Sequence, residues 1–132
     1  MSEKGKLYYL KASDLFKDLP AEDMDKVEKM TDLVNFRKGQ LIYSPGETKE
    51  VLFLLKQGKI QLYQLSPDGK KLVITVLEPG TIFGEMSMIG QGMYQAFAEV
   101  TEDATICVIG RQNMVQFLSS RPVVALRLLE IV

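Results

Sequence analysis

The stretch with the most chemical potential is Glu78-Pro79-Gly80-Thr81-Ile82-Phe83-Gly84-Glu85-Met86-Ser87-Met88-Ile89. Two glycines four residues apart bracket an apolar pair and lead into a carboxylate, after which apolar residues alternate. Such a segment can turn backbone N–H groups toward a bound anion while the Glu85 carboxylate accepts hydrogen bonds from hydroxyl groups. The bland alternative is a bend carrying a solvated glutamate. No other stretch offers a catalytic constellation. The chain has no histidine, which removes the commonest general base, the commonest zinc ligand and the usual haem ligand. Serines and glutamates occur without a basic partner, so no nucleophile–base pair assembles. Glu47 and Glu50 are widely spaced from Glu85 and suit solvated loop positions. No enzymatic activity is expected, and no catalytic or metal-binding residues are assigned.

The lone cysteine, Cys107, excludes an internal disulfide and a four-cysteine iron–sulfur cluster. It lies in an alternating apolar run, where a buried, inert thiol is the ordinary outcome. Met86, Met88 or Met93 could in principle ligate haem, but methionines in such segments serve packing. No cofactor is therefore expected: no haem, no iron–sulfur cluster, no zinc. Sixteen Lys and Arg balance seventeen Asp and Glu, and the basic residues are scattered, so this stretch carries no nucleic-acid-gripping face. Nothing approaches a membrane-spanning apolar run, and the first residues lack the pattern of a signal peptide. The expected location is the cytoplasm.

The elements that must position Glu85 follow from the apolar pattern of a 132-residue chain, enough for one core. Residues 1–30 read as a helical segment: Leu15, Phe16 and Leu19 turn inward, Pro20 opens a second helix, and Met24, Val27 and Met30 form one core-facing stripe. Residues 31–110 read as short strands between turn residues. The runs are 33–37, 41–43, 51–55, 60–65, 72–77, 96–100 and 104–109, with a hairpin loop at Ser66-Pro67-Asp68-Gly69. Residues 111–132 return to helix, first from Arg111 to Ser119 and then from Pro122 onward. The last helix has no stop signal at Ile131-Val132, so the chain is expected to continue downstream.

The glycines at 39, 58, 69, 80 and 84, the Phe83-Gly84-Glu85-Met86 segment and the helices at either end together resemble the cyclic nucleotide-binding fold. Within it, the chain is similar to the N-terminal sensor domain of Crp/Fnr-type bacterial transcription regulators. The resemblance covers residues 10 to 132. It implies a mainly β fold with flanking helices, a double-stranded β-helix (an eight-stranded, jelly-roll-like β-roll). A dimerisation helix would open at Arg121-Pro122-Val123-Val124-Ala125-Leu126. Val124, Leu128 and Ile131, spaced four then three, suit its coiled-coil seam. A helix-turn-helix DNA-binding domain would lie outside this chain, which makes DNA a partner only through that domain. A kinase or channel attached downstream is the alternative, and a cupin-like enzyme is disfavoured by the missing histidines.

The resemblance also places an effector pocket at Phe83, Gly84, Glu85, Met86, Ser87, Tyr94, Gln95 and Ala96. In members that bind cyclic AMP, the Gly-Glu pair contacts ribose and phosphate. An Arg-Ser-Ala run some ten residues later then clamps the phosphate. Here that run is Met93-Tyr94-Gln95-Ala96-Phe97. Tyr94 stands for the arginine if the Gly90-Gln91-Gly92 loop is one residue shorter; otherwise Gln95 does. Neither supplies a cation. An arginine gives a bidentate, charge-assisted grip, and leaving a buried charge unpaired costs about 3–5 kcal/mol, on the order of two to four decades in affinity. The resemblance therefore predicts a homodimeric sensor whose small-molecule effector, if it has one, is not cyclic AMP held in the usual way.

Overall fold

A computed structural model describes residues 10–11, 22, 25–26, 29, 31–86, 92–120 and 122. Among them are seven strands, β1 (Leu10–Lys11), β2 (Asp32–Phe36), β3 (Leu41–Tyr43), β4 (Val51–Leu65), β5 (Lys71–Leu77), β6 (Thr81–Gly84) and β7 (Phe97–Gly110), followed by one helix, α1 (Arg111–Ser120). All strand pairings are antiparallel. The mainly β architecture expected from the sequence is present. Most of the 1–30 helical segment, including Met24, Val27 and Met30, and the helix beyond Pro122 lie outside the described residues.

The two longest strands form the spine. β4 and β7 pair from Val51 opposite Gly110 to Tyr63 opposite Phe97, and each changes its other neighbour halfway along. The first half of β4 pairs with β6 and the second half with β5. β7 pairs with β3 near its start and with β2 near its end. One ladder thus belongs to two layers, and the chain closes into a roll. The proof of closure is packing between strands that do not pair: the Tyr43 ring of β3 lies 6.3 Å from the Phe83 ring of β6.

The sequence runs 51–55 and 60–65, and likewise 96–100 and 104–109, prove to be halves of single strands. Gly58 does not end a strand; it lets one bend. Its φ is +94°, and a Cβ there would sit 2.4 Å from the Asp103 carbonyl oxygen and 2.7 Å from the Ala104 Cα. The register of β4 against β7 shifts on both sides of it, between Leu55 and Ile60. Only glycine tolerates both the φ and the close approach.

Alternation along the spine fills the roll. Leu55, Ile60 and Leu62 from β4, with Ala98, Val100, Ala104 and Ile106 from β7, join Leu77 and Phe83 in one buried cluster. Cys107 is buried too, as its strand position predicted. α1 follows β7 without a loop and sets Met114 and Phe117, three apart on one helical face, into the core. Its first residue is tied back by an ion pair, Arg111 Nη1 to Glu50 Oε1 at 3.3 Å.

Candidate functional site

β6 runs antiparallel to the start of β4, with Phe83 opposite Phe53 and Gly84 opposite Leu52. The glycine is forced. At Gly84 φ is +107°, and a Cβ would stand 2.4 Å from the Val51 carbonyl oxygen and 2.9 Å from the Phe53 ring. The chain stays against β4 for one residue more, where the Glu85 N–H donates to the Val51 carbonyl at 3.1 Å. That amide is engaged within the protein and is not held out toward an anion, as the glycine spacing had suggested.

The Glu85 side chain, half-buried, reaches the returning chain. Its Oε1 accepts from the Met93 N–H at 2.7 Å and the Tyr94 N–H at 3.0 Å. Hydrogen bonds to an ionised acceptor are roughly twice as strong as neutral ones, so one carboxylate pins the turn at residues 93–96. The turn itself is closed by a weak bond from the Ala96 N–H to the Met93 carbonyl at 3.4 Å.

Pinned there, Tyr94 points inward and Gln95 outward. The Tyr94 ring packs on Tyr43 with centroids 4.8 Å apart, and its hydroxyl donates to the Lys49 carbonyl at 2.5 Å. Its own carbonyl accepts from the Gly46 N–H at 3.4 Å. Gln95 is exposed, and its carbonyl accepts from Gln64 Nε2 at 3.2 Å. Of the two candidates for the arginine position, Tyr94 alone turns its side chain into the roll.

The structure therefore brings Phe83, Gly84, Glu85, Tyr94 and Ala96 together, with Met86 buried beside them. Gln95 stands at the rim. Ser87, Val124, Leu128 and Ile131 lie outside the described residues. Sequence reasoning missed Tyr43, Phe53 and the Lys49 carbonyl. Tyr43 stacks on Phe53 at 6.0 Å, and Phe53 on Phe83 at 5.2 Å, so four aromatic rings form one wall. The available signal for Tyr43 was an aromatic closing a short strand just before Pro45-Gly46. A three-residue strand is too short for its alternation to be read.

The electrostatics are one-sided. Burial pushes the Tyr94 hydroxyl up to about 12, with Glu47, Glu85 and Glu50 adding to the shift and a backbone hydrogen bond from Val51 opposing it. Burial pushes Tyr43 higher still, helped by Tyr94 and Glu85. Among the described residues the buried Tyr43 hydroxyl has no hydrogen-bond partner, which typically costs about 1–3 kcal/mol. Among the described residues no group of three or more potential metal ligands occurs. The site is an acidic, aromatic corner, closed by its own tyrosine.

A β-roll with a Gly-Glu segment beside an inward-turning loop residue defines a cyclic nucleotide-binding-type sensor module. The model of the cyclic nucleotide-binding domain matches residues 33–121, and the chain belongs to that family, in the form found in Crp/Fnr-type transcription regulators. It is 28% identical over 116 residues to the cyclic AMP receptor protein of Thermus thermophilus, covering 88% of this chain and 54% of the relative. The crystal structure of the Thermus thermophilus catabolite activator protein superposes with a TM-score of 0.79 at 28% identity, over 90% of this chain and 56% of that one. The N-terminal domain of a transcriptional regulator from Streptomyces coelicolor superposes with a TM-score of 0.78 at 25% identity, over 89% of this chain and 82% of that one. The chain spans about half the length of the curated relatives it matches.

Proposed function

We propose that this chain is the effector-sensing and dimerisation part of a Crp/Fnr-type transcription regulator, controlling a helix-turn-helix DNA-binding domain that follows it. The organisation is a helical segment at 1–30, the β-roll sensor at 31–110 and, at 111–132, helices that include the start of a dimerisation helix. Val124, Leu128 and Ile131 form the seam of a homodimer. The protein works in the cytoplasm; among the described residues no helix is long and apolar enough to cross a membrane. Its role is regulatory and not catalytic, in keeping with relatives that are named as regulators.

One observation carries the ligand reading. Of the two residues that could stand for a phosphate-clamping arginine, Gln95 is exposed and Tyr94 turns inward with its hydroxyl on the Lys49 carbonyl, while Glu85 is engaged by the Met93 and Tyr94 amides. Neither Tyr94 nor Gln95 offers a cyclic phosphate a guanidinium, and the Glu85 and Glu47 carboxylates bias the corner against it, while Arg111 is paired with Glu50. Cyclic AMP in the usual mode is therefore not the effector. DNA-binding assays on the full-length regulator test the whole reading. Specific, dimer-dependent binding unaffected by cyclic AMP supports it. A protein that binds no DNA, or binds it only with cyclic AMP present, contradicts it.

A further inference from the structure

The unpartnered Tyr43 hydroxyl requires an explanation, because buried polar groups are almost always paired. It sits among the rings of Tyr94, Phe53 and Phe83, with centroids 4.8, 6.0 and 6.3 Å from its own. Two acceptors stand at this wall, the Glu85 carboxylate and the Lys49 carbonyl, the latter taken by the Tyr94 hydroxyl, which also faces the Val51 N–H. Glu85 lies near enough to oppose ionisation of both tyrosines, and Glu47 and Glu50 act on Tyr94 in the same sense. Arg111 is turned to Glu50. Aromatic faces ringed by acceptors and carboxylates are the surroundings that bind organic cations.

Resting on the reading that this corner senses a small molecule, we propose that Tyr94 is a displaceable plug and that the space it vacates takes a small organic ammonium with an apolar body. A departing tyrosine side chain leaves room for one ring with a short polar arm. The aromatic wall receives the ring and the cation, while the Tyr43 oxygen and the Glu85 carboxylate accept its N–H groups. The Lys49 carbonyl regains a donor from the same ammonium. An anion of the same shape meets the negative faces of the rings and the Glu85 carboxylate and is disfavoured.

Calorimetric titration of the chain with benzylammonium, benzyl alcohol and benzoate tests this, since the three share a ring and differ in charge. Benzylammonium is expected to bind, benzyl alcohol to bind about tenfold more weakly, and benzoate not to bind. Tyr43→Phe, with its fold checked by thermal melting, should weaken benzylammonium about tenfold. Tyr94→Phe removes only the bond to Lys49 and should tighten it, because a looser plug raises the population of the open form. Equal binding of all three probes, unchanged affinity in Tyr43→Phe, or no benzylammonium binding by either the native chain or Tyr94→Phe overturns the proposal. Cyclic AMP serves as a fourth probe. Its binding at micromolar concentration overturns the underlying reading as well, whereas its silence beside a silent benzylammonium sinks the plug alone.

Discussion

At the inner corner of the roll, Tyr94 leans on Tyr43 beneath a glutamate that holds two backbone amides. At the outer corner, Tyr63 lies nearly flat on Phe97, with centroids 5.0 Å apart and planes 9° from parallel, beneath Lys71 at 4.3 Å from the Tyr63 ring. Lys71 in turn meets Glu99 at 3.4 Å. Each corner has an aromatic pair and a carboxylate. The outer one lies beside exposed Leu65 and Val73, although Tyr63 itself is as little exposed as Tyr94, and supplies its own cation. The inner one is buried and, among the described residues, has no cation over its rings. What separates the two aromatic clusters is therefore unspent polarity. Tyr63, whose hydroxyl is pushed up first by burial and next by Glu99, has Lys71 to oppose the shift. The Tyr43 hydroxyl has no hydrogen-bond partner among the described residues.

The largest effects should come from the frame of the inner corner. Phe83→Ala removes a fully buried ring shared by Phe53 and Tyr43 and should cost about 3–5 kcal/mol in urea denaturation. Gly84→Ala forces a Cβ onto the Val51 carbonyl at positive φ. Strain and overpacking of about 1–3 kcal/mol each make a loss of about 2–6 kcal/mol the expected outcome. An unchanged midpoint for either would mean that β6 does not hold the corner as described.

A smaller effect of opposite sign sharpens the comparison. Tyr43→Phe deletes a hydroxyl that is buried unpaired and should raise stability by about 1 kcal/mol. A loss of similar size would reveal an unseen partner for that hydroxyl. Lys71→Ala at the outer corner should cost less than about 1 kcal/mol, because an exposed cation–π contact and an exposed ion pair are each modest.

Alkaline titration distinguishes the corners by charge. Tyr43 and Tyr94 have folded-state values raised above the ordinary tyrosine value of about 10. Their neutral forms therefore favour the native state. That contribution is complete below pH 10 and is lost as pH climbs through about 12, the value for Tyr94. Absorbance at the tyrosinate band should show at least two of the five tyrosines ionising late, and only as the fold gives way. Five tyrosines ionising together near pH 10 in folded protein would contradict the burial of this corner.

Much of the fold was legible because the β-roll repeats one local rule, apolar alternation between turns. The strand runs around Leu62, Val76 and Ile106 fell where the pattern placed them. The pattern misled at Gly58, since a glycine that bends a strand and a glycine that ends one look alike until the neighbouring strand is known. The same ambiguity hid β6 inside what reads as a turn-rich loop. Glu85 was legible as a polar residue of consequence, but its partners were not. They belong to amides eight and nine residues on, whose position against Glu85 depends on the roll. Tyr43 and Lys49 act through a closure between β3 and β6, a contact with no local trace. The choice between Tyr94 and Gln95 likewise needed the direction of a turn, which spacing alone left open.

On the proposed function, an inward-turned Tyr94 and a Glu85 engaged by two amides stand in place of a cyclic phosphate grip. Calorimetric titration of the chain with cyclic AMP tests it most directly. No binding heat up to millimolar nucleotide is the predicted result, and saturable binding at micromolar concentration would contradict it.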